Sequence, residues 1–143
     1  MRYAIIYISS RNPSTTDENV DFILSQADQL NNQNGITGLL VYSNEHFFQL
    51  IEGEKNKILE LFEKISNDQR HKNVIRFFEK EIFNSAYDGY YCDKVKDIYE
   101  FDELKLQDYL NYLMVLEYHE RNAVLQVLKA MFPNSCEVFI RRL

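Results

Sequence analysis

A polar side chain inside an apolar run is the feature that most constrains this chain. Residues 47–53 read Phe-Phe-Gln-Leu-Ile-Glu-Gly, with four large apolar residues in the first five positions. That pattern predicts a short buried strand closed by Glu-Gly. Gln49 brings an amide with two donor hydrogens and an acceptor oxygen into this strand. Because a buried amide without a partner costs about 1–3 kcal/mol, the fold has to supply hydrogen-bond partners for Gln49.

Apolar segments alternate with amphipathic segments over the first two thirds of the chain. We expect a first helix that starts at a capping box formed by Thr15 and Glu18 and stops at Gly35. A second helix is expected at residues 55–68. Strands are expected at residues 3–9, 36–42, 47–52, 73–82 and 89–95.

This order, β-α-β-β-α-β with an added fifth strand, is that of an α+β ferredoxin-like sheet with two helices on one face. The first and third strands of that fold are antiparallel neighbours at the centre of the sheet. Tyr7 and Gln49 should therefore lie on adjacent strands, where a phenol and an amide can pair. Gly38 falls inside the second strand, and a glycine there can mark a close approach of backbone or ligand.

The last third of the chain is charged, rich in leucine and helical in pattern. Two amphipathic helices are expected at residues 102–116 and 118–132, and Pro133 ends the second. Residues 137–143 fit a short last strand. We therefore divide the chain into a domain of residues 1–97 and a C-terminal extension, residues 98–143, that contains the helical pair.

Charge and motif content argue against several classes of function. The net charge of −6 disfavours a nucleic-acid binder, which usually presents a basic face. The first apolar segment is too short for a membrane-spanning helix or a signal peptide. Cys92 and Cys136 have neither metal-site nor disulfide spacing, which fits a reducing cytoplasm. We find no metal motif, no nucleophile–base pattern and no glycine-rich phosphate loop.

Three polar groups are candidates for a binding site, and each has a purely structural alternative. Tyr7 with Gln49 is either a satisfied polar pair in the core or part of a ligand site. The asparagines within residues 31–34 are either helix caps or ligand-facing amides. Residues 68–71, Asp-Gln-Arg-His, are either a solvated loop or a place where Arg70 and His71 hold a phosphate.

Taken together, these residues resemble the BLUF family of blue-light sensors that use FAD, over about residues 1–96. The resemblance rests on four motifs: IIYISS (5–10), N-x4-ITG (31–38), FFQLIEGE (47–54) and DQRHKNV (68–74). The family's flavin-facing tyrosine, asparagine and glutamine correspond to Tyr7, Asn31 and Gln49. Their spacings, 31 − 7 = 24 and 49 − 31 = 18, are those of the family.

The resemblance implies FAD as the cofactor and a light-driven switch as the mechanism. Ile23 and Ala27 would face the flavin ring, and Arg70 and His71 would lie near the ribityl-phosphate end. Excitation of FAD by blue light would draw an electron from Tyr7, followed by a proton that moves through the Gln49 amide. That amide would be left rotated or as a tautomer, with a stronger hydrogen bond to the flavin, until the dark state returns.

The fifth strand departs from the family pattern. Where family members usually carry Trp-x-Met, this chain has Tyr90 and Cys92, and the basic residues that often precede the strand are absent. This strand is the expected signal relay. Because Cys is smaller than Met and a weaker acceptor, we expect a less tightly held Gln49 and a changed rate of dark recovery.

The resulting expectation is a cytoplasmic blue-light photoreceptor without an attached catalytic domain. Its output would pass through the C-terminal helices, by homo-oligomerisation or to an unidentified downstream protein, with no nucleic acid or membrane as partner. The altered fifth strand supports one alternative, a ferredoxin-like ligand-binding or interaction module without photochemistry. An acylphosphatase-like hydrolase is disfavoured because no Arg/Asn phosphate loop follows the first strand.

Overall fold

The computed structural model describes residues 2–43, 45–83, 85, 89–94 and 122, and the predicted order of elements is confirmed within them. Apart from the single helical position Asn122, the predicted C-terminal helices and last strand lie outside these residues. The strands are β1 (Arg2–Arg11), β2 (Thr37–Ser43), β3 (His46–Glu54), β4 (His71–Ile82) and β5 (Tyr90–Lys94), and the helices are α1 (Asp17–Gln33) and α2 (Lys55–Ser66).

The strands form one sheet in the order β4-β1-β3-β2-β5. The first four strands pair antiparallel, and β5 pairs parallel with β2. The fold is therefore the predicted α+β ferredoxin-like one, with an extra strand at one edge. Tyr7 and Gln49 lie on the adjacent central strands β1 and β3, as the topology predicted, and the observed register places them directly opposite each other.

The start of α1 differs from the prediction by one residue. Thr16, not Thr15, is the N-cap: its side chain accepts a hydrogen bond from the backbone N–H of Asn19, 3.1 Å away. The Thr15 hydroxyl instead donates to the backbone carbonyl of Arg70 at 2.8 Å. The predicted capping box is therefore wrong, because a contact with a distant loop takes the hydroxyl that the pattern assigned to the cap.

The other helix boundaries follow from local chemistry. The helix α1 ends at Gln33, and Gly35 follows at φ +69°, a conformation that glycine adopts easily. The helix α2 begins after Glu54, whose carboxylate accepts from the backbone N–H groups of Asn56 and Lys57. Its last residue is Ser66, two residues before the predicted end.

The central strands are buried on both faces, which explains their almost continuous apolar sequences. Alternate side chains on one face form a core with the helices, where α1 packs over β2 and β5 while α2 packs over β1 and β3. The main members of this core are Ile5, Val20, Ile36, Leu40, Ile51 and Ile58. Residues of the opposite face are buried as well, namely Ala4, Ile6, Leu39, Phe48 and Leu50.

The close approach that Gly38 suggested is confirmed, and it is an approach of backbone. Gly38 has φ +142°, and a Cβ on this residue would lie 2.0 Å from the carbonyl oxygen of Leu50 on β3. Its N–H donates to the carbonyl of Gly89, just before β5, at 3.0 Å. A side chain at residue 38 would therefore push apart the strands beneath the helices. No helix among the described residues is both long and apolar enough to cross a membrane.

Candidate functional site

A cavity of about 550 Å³ lies between the two helices, above the centre of the sheet. Its volume falls within the usual range for small-molecule sites, about 300–1,000 Å³. Exposed polar side chains such as Gln26, Lys57, Glu60 and Lys64 surround its mouth. The cavity brings together all seven residues that the sequence predicted to bind a flavin: Tyr7, Ile23, Ala27, Asn31, Gln49, Arg70 and His71.

The Gln49 amide lies at the floor of this cavity and is hydrogen-bonded at both ends. The Tyr7 hydroxyl donates to Gln49 Oε1, and Gln49 Nε2 donates to the Tyr90 hydroxyl. All three side chains are buried, with no more than 3% of any one exposed. The apolar strand can therefore accommodate an amide because two phenols, one from β1 and one from β5, satisfy it.

Tyr7 is held as a neutral phenol. Burial raises its pKa far above the ordinary value of a tyrosine, and the nearby Asp68 carboxylate raises the pKa further. Its ring meets Phe62 and His71 edge-on, with centroids 5.8 and 6.2 Å away. These contacts leave the Tyr7 O–H directed at Gln49, so its proton has an acceptor in place.

Tyr90 does more than the sequence argument assigned to it. That argument weighed only Cys92 when it predicted a less tightly held Gln49, and it missed the Tyr90 hydroxyl, which holds the amide nitrogen. Burial raises the pKa of Tyr90 well above its ordinary value, and the side chains of Gln49 and Asn31 act on this pKa in the opposite direction. Cys92 is half-buried and packs against the helix-side core.

The three asparagines at the end of α1 have three different roles. Asn31 is buried and lines the cavity. Asn34 donates from its side chain to the carbonyl of Leu30 at 2.8 Å, as a helix cap does. Asn32 bonds both backbone groups of Tyr90, since Nδ2 donates to the carbonyl at 3.1 Å and Oδ1 accepts from the N–H at 3.0 Å. Sequence reasoning missed this role because the position fits a cap equally well.

His71 uses both ring nitrogens within the chain. Nε2 lies 2.5 Å from the carbonyl oxygen of Ile65, and Nδ1 lies 2.7 Å from the Ser9 hydroxyl. A carbonyl can only accept, so Nε2 carries a hydrogen, and in the neutral ring Nδ1 accepts from Ser9. His71 therefore ties the end of α2 and the start of β4 to β1, and it also lines the cavity.

Arg70 is paired with an acid at the mouth of the cavity. Its guanidinium donates to both carboxylate oxygens of Asp68 at 2.5–3.1 Å, and this contact lowers the pKa of Asp68 below its usual value. Lys57 and Lys64, seven residues apart on α2, add two exposed cations to the lining. Sequence reasoning missed these lysines, although their spacing places them on one helix face.

The donor set fits a flat ring with a polar edge. Amides from Asn31 and Gln49 provide hydrogen-bond donors and acceptors at the floor, while Ile23, Ala27 and Leu40 provide apolar walls. Cationic side chains stand nearer to solvent, where a phosphate-bearing tail can remain hydrated. Among the described residues, no group of three or more His, Cys, Asp or Glu side chains could hold a metal ion.

Comparison with known proteins identifies the family. The sequence model of the family described as "BLUF: Sensors of blue-light using FAD" matches residues 3–92. The chain belongs to the BLUF family. The resemblance drawn from the four sequence motifs is thereby confirmed, and with it FAD as the cofactor by which the family is defined.

Individual BLUF proteins are similar in sequence and in fold. The blue light- and temperature-regulated antirepressor BluF of Escherichia coli (strain K12) is 31% identical over 75 residues, which are 52% of this chain and 19% of that protein. The structure titled "BlsA photo-activated state" is 29% identical, with a TM-score of 0.66 over 90% of this chain and 94% of that one.

The dark-state structure of BlrB, a BLUF protein, is 28% identical, with a TM-score of 0.62 over 90% of this chain and 95% of that one.

Other relatives are far longer. Photoactivated adenylate cyclase subunit beta of Euglena longa is 34% identical over 83 residues, 58% of this chain and 10% of that protein. This chain therefore spans a fifth or less of the length of these two curated relatives.

Proposed function

We propose that this chain is a blue-light photoreceptor that binds FAD non-covalently between α1 and α2 and signals through Tyr7 and Gln49. The observation that carries the proposal is the hydrogen bond from the buried Tyr7 hydroxyl to Gln49 Oε1 at the floor of the cavity. A core polar pair needs no cavity beside it, whereas a flavin-coupled switch does.

The remaining cavity residues would contact different parts of the flavin. Asn31 and Gln49 would hold the polar edge of the flavin ring, and Ile23 and Ala27 would pack against its face. Arg70, with the exposed lysines of α2, would face the phosphates. Both ring nitrogens of His71 are already hydrogen-bonded within the chain, to Ser9 and to Ile65. His71 would therefore shape the pocket rather than donate to the phosphate.

Bound FAD would supply absorption of blue light and a ring that accepts an electron. The side chains then control where the proton goes. Loss of an electron makes a phenol strongly acidic, and Gln49 Oε1 is the acceptor already hydrogen-bonded to Tyr7. The electron and a proton would then return to Tyr7, so that only the arrangement of the Gln49 amide is changed. Burial excludes water, so the rotated or tautomeric amide keeps its new hydrogen bonds until thermal return. The amide is bistable because each arrangement satisfies its polar atoms.

We propose that the output of residues 1–143 is a protein–protein contact rather than a reaction that these residues catalyse. Residues 1–97 would sense light in the cytoplasm, and residues 98–143 would pass the signal to a second copy or to a downstream protein. One relative supports contact as the output, because BluF is named as an antirepressor.

One observation favours a second candidate, a flavin-binding or interaction module without photochemistry. The fifth strand carries Tyr90 and Cys92 in place of the residues usual in the family. The intact hydrogen bond from Tyr7 to Gln49 argues against this candidate, because Gln49 could bind the flavin without a buried phenol paired to its amide.

Two substitutions test the proposal. Tyr7→Phe and Gln49→Leu should each keep bound flavin but lose the red shift of its absorption after blue illumination. Tyr3→Phe is the matched control, since Tyr3 lies on the same strand but donates to Glu79 outside the cavity, and its photocycle should be normal. A normal photocycle in either test variant would refute the assigned switch.

A further inference from the structure

The turn between β1 and α1 has a shape that its own bonds hold. Residues 12–15 read Asn-Pro-Ser-Thr, and the Thr15 N–H donates to the carbonyl of Asn12 at 2.9 Å, which closes a β-turn. Proline at the second position of such a turn fixes φ there. The Asn12 side-chain oxygen also accepts from the N–H and the hydroxyl of Ser14, at 3.2 and 3.0 Å. The turn is therefore a firm support for any group that it bonds.

Three donors of this turn bond two consecutive carbonyls in the loop between α2 and β4. The N–H of Asn12 and the hydroxyl of Thr15 both donate to the carbonyl of Arg70, at 3.1 and 2.8 Å. The side-chain nitrogen of Asn12 donates to the carbonyl of Gln69 at 3.1 Å. Thr15 is only 4% exposed, so water does not replace its hydroxyl. The hydroxyl that the sequence pattern assigned to a helix cap thus holds the backbone of a cavity residue.

The loop held in this way carries the ion pair at the mouth of the cavity. Asp68 and Arg70 both line the cavity. Nε and Nη2 of Arg70 donate to Asp68, so Nη1 is the group that remains to face a phosphate oxygen. Because Asp68 belongs to the same short loop, the pair can shift as a unit. The place of the guanidinium in the cavity therefore depends on what holds the backbone of the loop.

We propose that Asn12 and Thr15 are positioning residues that hold the backbone of Gln69 and Arg70 and thereby direct the Arg70 guanidinium at the phosphates of FAD. The inference rests on the proposed function and adds to it two residues from outside the cavity lining. They would act on the ligand only through Arg70.

This contact should matter for the phosphates of the ligand and not for its ring. The residues that would hold the ring edge, Asn31 and Gln49, belong to α1 and β3. Riboflavin has the same ring as FAD but no phosphate. A loosened loop should therefore weaken the binding of FAD more than the binding of riboflavin, whereas a general loss of stability should weaken both equally.

The test is Thr15→Val in the full chain, which removes the hydroxyl and keeps a branched side chain of similar size. Titration of flavin-free protein with FAD and with riboflavin gives a dissociation constant for each. We expect the preference for FAD over riboflavin to fall about fivefold, which corresponds to about 1 kcal/mol, the ordinary contribution of one hydrogen bond. The control is Thr16→Val, because the Thr16 hydroxyl accepts from Asn19 and caps α1. Its preference should match the wild type.

A double-mutant cycle shows whether Thr15 acts through Arg70. The preference for FAD should fall in Arg70→Gln, because a cation is lost, and the addition of Thr15→Val should then lower it no further. If Thr15→Val does not fold, Asn12→Ala carries the same test, since it removes the donor to the carbonyl of Gln69.

A second readout needs no flavin. The backbone N–H of Arg70 donates to Asp68 Oδ1 at 2.9 Å inside the held loop. Hydrogen exchange at this N–H should be faster in Thr15→Val than in the wild type and unchanged in Thr16→Val. Equal exchange in the wild type and Thr15→Val would overturn the inference, because the turn would then not hold the loop.

The binding outcomes separate the inference from the proposed function. A wild-type protein that cannot bind FAD would refute the proposed function, and the inference with it. A wild type that binds FAD, shows the light-induced red shift and binds riboflavin equally well would overturn the inference alone, since Arg70 would then not contact the phosphates. An unchanged preference for FAD in Thr15→Val, or an equal fall with and without Arg70, would also overturn it.

Discussion

Replacement of Gly38 by alanine should be among the most damaging single changes in the β-sheet. Gly38 has φ +142°, a backbone conformation that costs a residue with a side chain about 1–3 kcal/mol. In addition, the new Cβ would lie 2.0 Å from the carbonyl oxygen of Leu50 and 2.9 Å from its carbonyl carbon. The obstacle is backbone in the centre of the sheet, so no side-chain rotation can relieve it.

The two effects add. The strands β2 and β3 have to separate at this point, and each hydrogen bond weakened between them costs about 1 kcal/mol. The hydrogen bond from the Gly38 N–H to the carbonyl of Gly89 and the pairing of Gly38 with Tyr90 would be lost at the same time. We therefore expect Gly38→Ala to lower the free energy of unfolding by about 3–5 kcal/mol, at the upper end of single-substitution effects.

Urea denaturation followed by circular dichroism measures this difference. Gly35→Ala is the control for backbone conformation, since Gly35 has φ +69° but no heavy atom within 4 Å of a built Cβ, and should cost about 1 kcal/mol. Gly53→Ala is the control for added volume, because its Cβ would meet only side chains, those of Ile58 at 3.3 Å and Ile36 at 3.7 Å. Equal destabilisation in all three variants would show that the close approach at Gly38 is not what matters.

Two further predictions concern the edges of the site. Cys92→Met should change the rate of dark recovery, because a longer and more polarizable side chain would stand beside the buried tyrosines; kinetics identical to the wild type would contradict this. Asp68→Asn should lower stability at neutral pH by about 0.5–1 kcal/mol, since the pair with Arg70 is partly exposed. Because the pKa of Asp68 is lowered from 3.8 in the folded chain, its contribution is present above about pH 4 and lost as the pH falls through the folded pKa. Denaturation curves of wild type and variant should therefore converge in acid, and a constant gap would refute the ion pair's role.

Much of the site could be predicted because its pattern is local to each strand. The apolar run at residues 47–53 indicates a buried strand with Gln49 inside it, and the ferredoxin-like order places the strand of Tyr7 next to it. A slip of one residue would place Tyr7 and Gln49 on opposite faces of the sheet, so the polar pair itself favours a register that keeps them on the same face. The identity of the ligand did not follow from this geometry; it came from the family motifs.

What could not be predicted depends on contacts between distant parts of the chain. Thr15 and Thr16 are equally good caps by pattern, and only the bond from Thr15 to the carbonyl of Arg70 decides between them. The parallel pairing of β5 with β2 brings Tyr90 to Gln49 and to Asn32. A strand of five residues is too short for its periodicity to predict such a partner.

The same limit applies to His71. Its place after Arg70 favoured a phosphate ligand, and the motif of the family agrees with that position. In the structure, the two ring nitrogens of His71 are hydrogen-bonded to Ile65 and Ser9. These groups come within reach only when α2, β1 and β4 pack together. A sequence motif can place such a residue in the site, but it does not show which groups its polar atoms bond.

The most direct measurement is the absorption spectrum of the full chain loaded with FAD, recorded in the dark, after blue illumination and during return to darkness. A light-driven switch of the Tyr7–Gln49 hydrogen bonds predicts a yellow protein whose flavin band shifts slightly to longer wavelength and then returns without added reagents. A protein that cannot be loaded with FAD, or that binds it with a spectrum unchanged by light, would contradict the account.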